Sequence, residues 1–86
     1  MAPYALVLHE EAARRLATAS RSEQRQLGAV LDELKVSPFR KGDLQEQDAH
    51  ARTNEILVVG DWLVTFWVDH AVREIRIVRL ESAEDI

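Results

Sequence analysis

Six side chains in the middle and later part of this sequence are of types that could do chemistry: Arg40, Lys41, His50, Arg52, Glu55 and His70. Arginine and lysine can neutralise a phosphate or a developing oxyanion. Histidine and glutamate can take or give a proton. Each also has an ordinary structural reading. Arg40 and Lys41 fit solvated loop charges, His70 beside Asp69 fits a turn residue, and Arg52 with Glu55 fits a cross-strand pair. Asp48, His50, Asp69 and His70 could be written as metal ligands, but no ligand spacing joins them, and no metal or other cofactor is expected. Arg73, Arg76 and Arg79 form a basic row. With period two, Arg73 and Arg79 share a face opposite Arg76, and Glu74 and Glu81 lie beside them. The sequence has no cysteine, so disulfides and thiolate metal sites are excluded. It has no glycine-rich phosphate loop, and its serines lack a supporting histidine constellation.

The elements that must position these residues follow from periodicity. Tyr4 to Leu8 is a short apolar strand. A helix follows, with Ala12, Ala13, Leu16 and Ala17 on one face and Glu10 and Glu11 at its N-terminal end. Ser20 and Glu23 have capping-box spacing, and Ser22 competes as N-cap. A second helix runs from about Glu23 to Lys35, with an apolar stripe of Leu27, Val30, Leu31 and Leu34. Gly28 within it suggests a close packing contact, and Pro38 ends it. The polar stretch from 36 to 53 reads as a long connection with a turn at Gly42-Asp43.

The remainder reads as β. "EILVV" and "WLVTFWV" flank Gly60-Asp61, a two-residue loop suited to a type II′ turn. That turn would set Val59 against Trp62 and Leu57 against Val64. "REIRIVRLE" is the last strand, and the acidic "SAEDI" reads as a frayed tail. The expected fold class is α+β, in the order β-α-α-β-β-β. Two helices would pack on one face of a mostly antiparallel sheet, in one domain covering residues 1–86.

The strand from 62 to 68 is apolar on both faces. Trp62, Val64, Phe66 and Val68 alternate with Leu63, Thr65 and Trp67. A sheet covered on one side should alternate apolar with polar. The helices can cover one face. The other needs the 36–53 connection, a second copy of the chain, a different protein or a small ligand. Leu63 and Trp67 are therefore the candidate partner-interface residues, because an exposed apolar patch tends to mark an interface.

Charge sets further bounds. The net charge is −4. Residues 1–35 carry five basic and five acidic side chains, and residues 36–86 carry six and ten. This is the opposite of a general nucleic-acid binder, and it leaves room only for a small local cationic patch. The opening "MAPYALVLHEEAARR" passes from a short apolar run straight into charge, unlike a secretory leader. No apolar run approaches the ~20 residues of a membrane span. A cytoplasmic location without membrane association is expected.

The element order, the helix ending "LDELKVSPF", the hairpin "VVGDWLVTFWVD" and the strand "IRIVRLE" together resemble the RelE/ParE superfamily of bacterial toxins, over roughly residues 4 to 82. These are toxins of type II toxin–antitoxin modules. The resemblance implies an antitoxin that wraps the toxin and would cover the second apolar face. RelE-type members cut messenger RNA on the ribosome without metal. ParE-type members poison DNA gyrase instead. The sequence departs from the ribonuclease pattern in two places. Leu63 stands where those members usually place an arginine after the turn aromatic, and "LESAED" replaces their usual C-terminal histidine or arginine and tyrosine. In the ribonuclease reading, Arg40 and Lys41 hold RNA phosphate, and Arg52, Glu55 and His70 form the catalytic set. The ribosome, its messenger RNA and an antitoxin are the implied partners. A gyrase-directed toxin and a non-catalytic binding protein, self-associated as a homodimer, are the alternatives.

Overall fold

The computed structural model describes residues 3–85. Its elements run β1 (Ala5–Leu8), α1 (Glu10–Thr18), α2 (Arg21–Val36), β2 (Leu44–Gln47), β3 (Thr53–Val59), β4 (Trp62–Asp69) and β5 (Glu74–Ser82), closed by a single 3₁₀ turn, Ala83–Asp85. The five strands form one sheet in the order β1-β5-β4-β3-β2. β1 runs parallel to β5, and the other pairs are antiparallel. The architecture is the expected α+β arrangement with one more strand.

That strand lies in the stretch read as a loop. "LQEQ" has a single apolar residue, so no alternation announces it. It is held by backbone pairing with β3, Leu44 opposite Ile56 and Gln47 opposite Thr53. Gly42 leads into it because the chain passes hard against β3. A Cβ there would lie 2.6 Å from the Ile56 nitrogen and oxygen. Asp43 then donates its N–H to the Ile56 carbonyl and accepts the Val58 N–H on its carboxylate. The 36–53 stretch therefore extends the sheet and does not fold across it.

α2 begins where both capping-box bonds form. The Glu23 N–H donates to Ser20 Oγ, and the Ser20 N–H donates to Glu23 Oε1. Ser20, not Ser22, is the cap. Leu27, Leu31 and Leu34 are buried and Val30 is half-buried, as the stripe predicts. Gly28 makes no close contact, so its place in the helix is not explained by packing. In α1, Ala12 is buried and Leu16 half-buried, while Ala13 and Ala17 face solvent, so the packed face is narrower than the sequence suggests.

The core between helices and sheet joins these residues to Leu57, Trp62, Val64, Phe66, Ile75, Ile77 and Leu80. The turn between β3 and β4 has the expected form. Gly60 takes φ +59°, a left-handed value that favours glycine, while Asp61 does not. Val59 faces Trp62 and Leu57 faces Val64. Trp62 donates its indole N–H to Glu23, and the Arg15 guanidinium lies over its ring.

One irregularity changes the outer face. The β4–β5 register slips between Thr65 and Phe66, so Thr65 pairs with Arg79 and Phe66 with Ile77, leaving Val78 as an extra residue in β5. Inward positions therefore pass from Ile75 and Ile77 to Leu80 and Ser82. Strict alternation would separate Arg76 from Arg79. The bulge brings both onto the outer face, beside Trp67 and Thr65.

The acidic tail is tied down rather than frayed. Asp85 pairs with Arg15 at 3.0 Å and accepts the Ser82 N–H; Ile86 lies outside the described residues. No described helix is long and apolar enough to cross a membrane.

Two outcomes test this packing. Leu31→Ala should cost ~2–5 kcal/mol, the range for truncating a buried leucine, and a melt within a degree or two of the parent would contradict the assigned helix face. The second concerns acid. The hydrogen bond from Arg15 holds the Asp85 carboxyl below its ordinary value of 3.8, and that from Arg79 holds the Glu46 carboxyl below 4.5. A carboxyl with a lowered folded-state pKa adds stability above its unfolded value, and that stability is lost as pH falls through the folded value. Melting temperature should therefore be flat down to about pH 5 and fall below it. Paired Glu46→Gln and Asp85→Asn substitutions should flatten that fall, which melts at neutral and acid pH will check.

Candidate functional site

The helices cover one face of β4, and no helix of the described residues covers the other. On that outer face, Leu44, Ile56, Val58 and Leu63 form an apolar strip at the β2–β3–β4 side. Leu44 is 55% and Val58 50% exposed, so the strip is open to solvent. Towards β5 the covering is made of arginine. The Arg52 guanidinium lies 3.8 Å from the Trp67 ring centroid and that of Arg76 5.8 Å from it. Arg79 reaches across to Glu46 on β2 at 2.6 Å and also meets Glu81. Arg76 pairs with Glu74 at 2.7 Å. Beneath this layer Asn54 and Thr65 are buried, and their Oδ1 and Oγ1 atoms have no hydrogen-bond partner among the described residues.

A cleft of about 440 Å³ opens where the segment after α2 meets the start of β3 and the end of β4. All five candidate catalytic and phosphate-binding residues line it: Arg40, Lys41, Arg52, Glu55 and His70. Pro38 stops α2 and turns the chain so that Phe39, Arg40 and Lys41 form one wall. Thr53 and Glu55 of β3 and Val68 of β4 form the floor, and Trp67 borders it. The cleft thus gathers residues that lie 30 positions apart in sequence.

Their partners differ in kind. Arg40 is paired with Glu33 at 3.0 Å. Lys41 makes no ion pair among the described residues. Arg52 stacks on Trp67, and its backbone N–H donates to Asp48. Glu55 is committed on one oxygen, which accepts the Gly42 N–H at 2.7 Å and the Gln45 amide at 3.1 Å. That carboxylate first of all fastens the Gly42 turn to β3. Its other oxygen has no hydrogen-bond partner among the described residues.

His70 has two neighbours that sequence reasoning missed. Phe39 stacks on its ring at a centroid distance of 4.5 Å, and the Tyr4 hydroxyl lies 2.9 Å from its Nδ1. Phe39 was discoverable as an aromatic set after a proline in a polar stretch, and it is 75% exposed. Tyr4 was not discoverable. It reaches His70 only because β1 pairs in parallel with β5, with Ala5 donating to the Arg73 carbonyl in the turn beyond His70.

The imagined metal set is dispersed. Asp48 accepts the His50 and Arg52 N–H groups in the β2–β3 turn, which lowers its pKa, and Asp69 accepts the Ala71 N–H. No group of three or more candidate ligands comes together among the described residues. The cleft therefore holds two cations without an ion pair among the described residues, Lys41 and Arg52, with Arg40 shared with Glu33, one half-committed carboxylate and a histidine held from two sides. That set suits a phosphodiester better than a neutral ligand.

The sequence matches no protein-family model and no curated protein. The fold does have solved counterparts. It is similar to a chain of the archaeal RelE–RelB complex from Pyrococcus horikoshii OT3, with a TM-score of 0.75 and 17% identity over 93% of this chain and 94% of that one. It is also similar to a chain of the toxin–antitoxin complex RelBE2 from Mycobacterium tuberculosis, with a TM-score of 0.68 and 21% identity over 93% of this chain and 98% of that one. With two helices on one face of a five-stranded sheet and these likenesses along nearly its whole length, the chain has the RelE-like fold.

Proposed function

We propose that this protein is the toxin of a toxin–antitoxin pair and that it inhibits translation by cutting messenger RNA on the ribosome without a metal. The observation that carries this reading is the cleft. It places Arg40, Lys41 and Arg52 around His70 and Glu55 within one opening. The acidic excess of the C-terminal half does not oppose this locally. Glu74, Glu46 and Glu81 are engaged with Arg76 and Arg79 on the sheet face. In the proposed reaction Arg40, Lys41 and Arg52 hold the phosphate. Glu55 takes the proton of the attacking 2′-hydroxyl. His70 gives one to the leaving oxygen.

The antitoxin belongs on the outer face in this reading. Leu63 and the neighbouring apolar strip supply its hydrophobic contact, and Trp67 under its arginines marks the edge. A homodimer could use the same strip. One feature favours a second reading, a gyrase-directed or purely protein-binding role. The position after the turn aromatic is Leu63 on that apolar strip, not a cation facing RNA.

The test is induced expression in a bacterial host, with translation and DNA replication followed separately, beside cleavage of messenger RNA by purified protein with and without ribosomes. Translation should stop first, and cleavage should require ribosomes. His70→Ala should slow cleavage ~10²–10⁴-fold, the usual contribution of a positioned acid or base. The Arg52→Ala, His70→Ala double variant should lose arrest and cleavage together. Undiminished arrest by the double variant would establish the second reading.

A further inference from the structure

His70 is held on both sides of its ring in a way that a surface turn residue does not need. Phe39, from the segment after α2, stacks on it with an interplanar angle of 11°. Tyr4, at the start of β1, meets its edge and places a hydroxyl 2.9 Å from Nδ1. Among the described residues Nε2 has no hydrogen-bond partner, and the ring lines the cleft. Which nitrogen of a neutral histidine carries the proton is set by the bond its other nitrogen makes. A phenol is protonated throughout the neutral range and can always donate.

We propose that Tyr4 is a positioning residue of the cleft: its hydroxyl donates to His70 Nδ1, fixes the neutral ring as the Nε2–H tautomer, and so presents an N–H donor to an anionic oxygen bound in the cleft. The ligand class is a phosphate oxyanion, and that half of the inference rests on the reading of the cleft given above. The other groups that bear on the ring are Arg40 and Lys41 from the α2–β2 segment, Arg52 and Glu55 at β3, and Asp69 beside it in sequence. The three cations favour an anion there. A neutral ring with Nε2–H can add a hydrogen bond to that anion. Once protonated, the ring carries a proton on each nitrogen, and the Tyr4 oxygen can then accept from Nδ1. The same contact therefore orients the ring in both states. It directs the Nε2–H of His70 into the cleft as a hydrogen-bond donor in either state.

The experiment is nitrogen NMR of the uniformly labelled full chain at about pH 8.5, above the ordinary histidine pKa of about 6.5. The His70 signals are assigned by their loss in His70→Ala. The parent should show a single Nε2–H tautomer. Tyr4→Phe removes only the hydroxyl and keeps the ring, and it should convert His70 to a mixture of tautomers while His9 and His50 are unchanged. Inorganic phosphate should shift the His70 Nε2 signal in the parent, and shift it less in Tyr4→Phe. An Nδ1–H tautomer in the parent, or no change on removing the hydroxyl, would overturn the role given to Tyr4. An Nε2 signal unmoved by phosphate would overturn the anion contact. None of these readouts needs ribosomes or cleavage. A protein that passes them and cuts no RNA would refute the proposed reaction while leaving the Tyr4–His70 contact in place.

Discussion

Everything in this molecule answers to one constraint, a central strand that is apolar on both faces, packed on one side by the two α-helices of the described residues. β4 turns Trp62, Val64 and Phe66 towards α1 and α2, where they meet Leu27, Leu31 and Leu34 in a closed core. Its other face carries Leu63, Thr65 and Trp67, and no helix remains to cover it. The chain covers half of that face with side chains that are long, apolar along their stems and charged at the tip. Arg52 and Arg76 lie on Trp67, and Arg79 spans to Glu46. Two of the three are brought there by strand β5, and the Val78 bulge is what allows both to face the same way. The other half stays an open apolar strip, the natural place for a protein partner.

The same economy makes the cleft. α2 stops at Val36 and Pro38 diverts the chain, so the helix layer ends before the sheet does. The space left over is roofed by Phe39, Arg40 and Lys41 and floored by Thr53, Glu55 and Val68. Charge is distributed to match. Four carboxylates of the C-terminal half are engaged with arginines, Glu46, Glu74 and Glu81 on the outer face and Asp85 at the tail. Among the described residues Lys41 and Arg52 form no ion pair. A net charge of −4 therefore coexists with a local cationic opening. Surface potential is decided by where charges are paired and not by their sum.

How much of this is legible in the sequence varies by element, for physical reasons. α2 and the Gly60 hairpin are local and read from neighbouring residues, whereas the choice of Ser20 over Ser22 as cap shows only in the bonds that form. The polar strand β2 is invisible because an edge strand with solvent on its open side needs no apolar alternation; backbone pairing with β3 and the clearance at Gly42 hold it. The Val78 bulge is equally silent, since nothing in "RIVR" shows that period two fails there. At the cleft, the residue types of Arg40, Lys41, Arg52, Glu55 and His70 suggested the chemistry, but their convergence depends on how the segment after α2 crosses the sheet end. Tyr4 lay beyond reach altogether. It joins His70 through a parallel pairing between the first and last strands, 66 residues apart.

The most direct measurement is an NMR titration of the labelled protein with a short single-stranded RNA oligonucleotide at low salt. Signals of Arg40, Lys41, Arg52 and His70 should move together, and those of Leu44, Val58 and Leu63 on the outer strip should stay in place. Added salt should reverse the shifts, as expected for phosphate held by cations. Shifts confined to the outer strip, or none at all, would contradict the assignment of the cleft to RNA and of the strip to a protein partner.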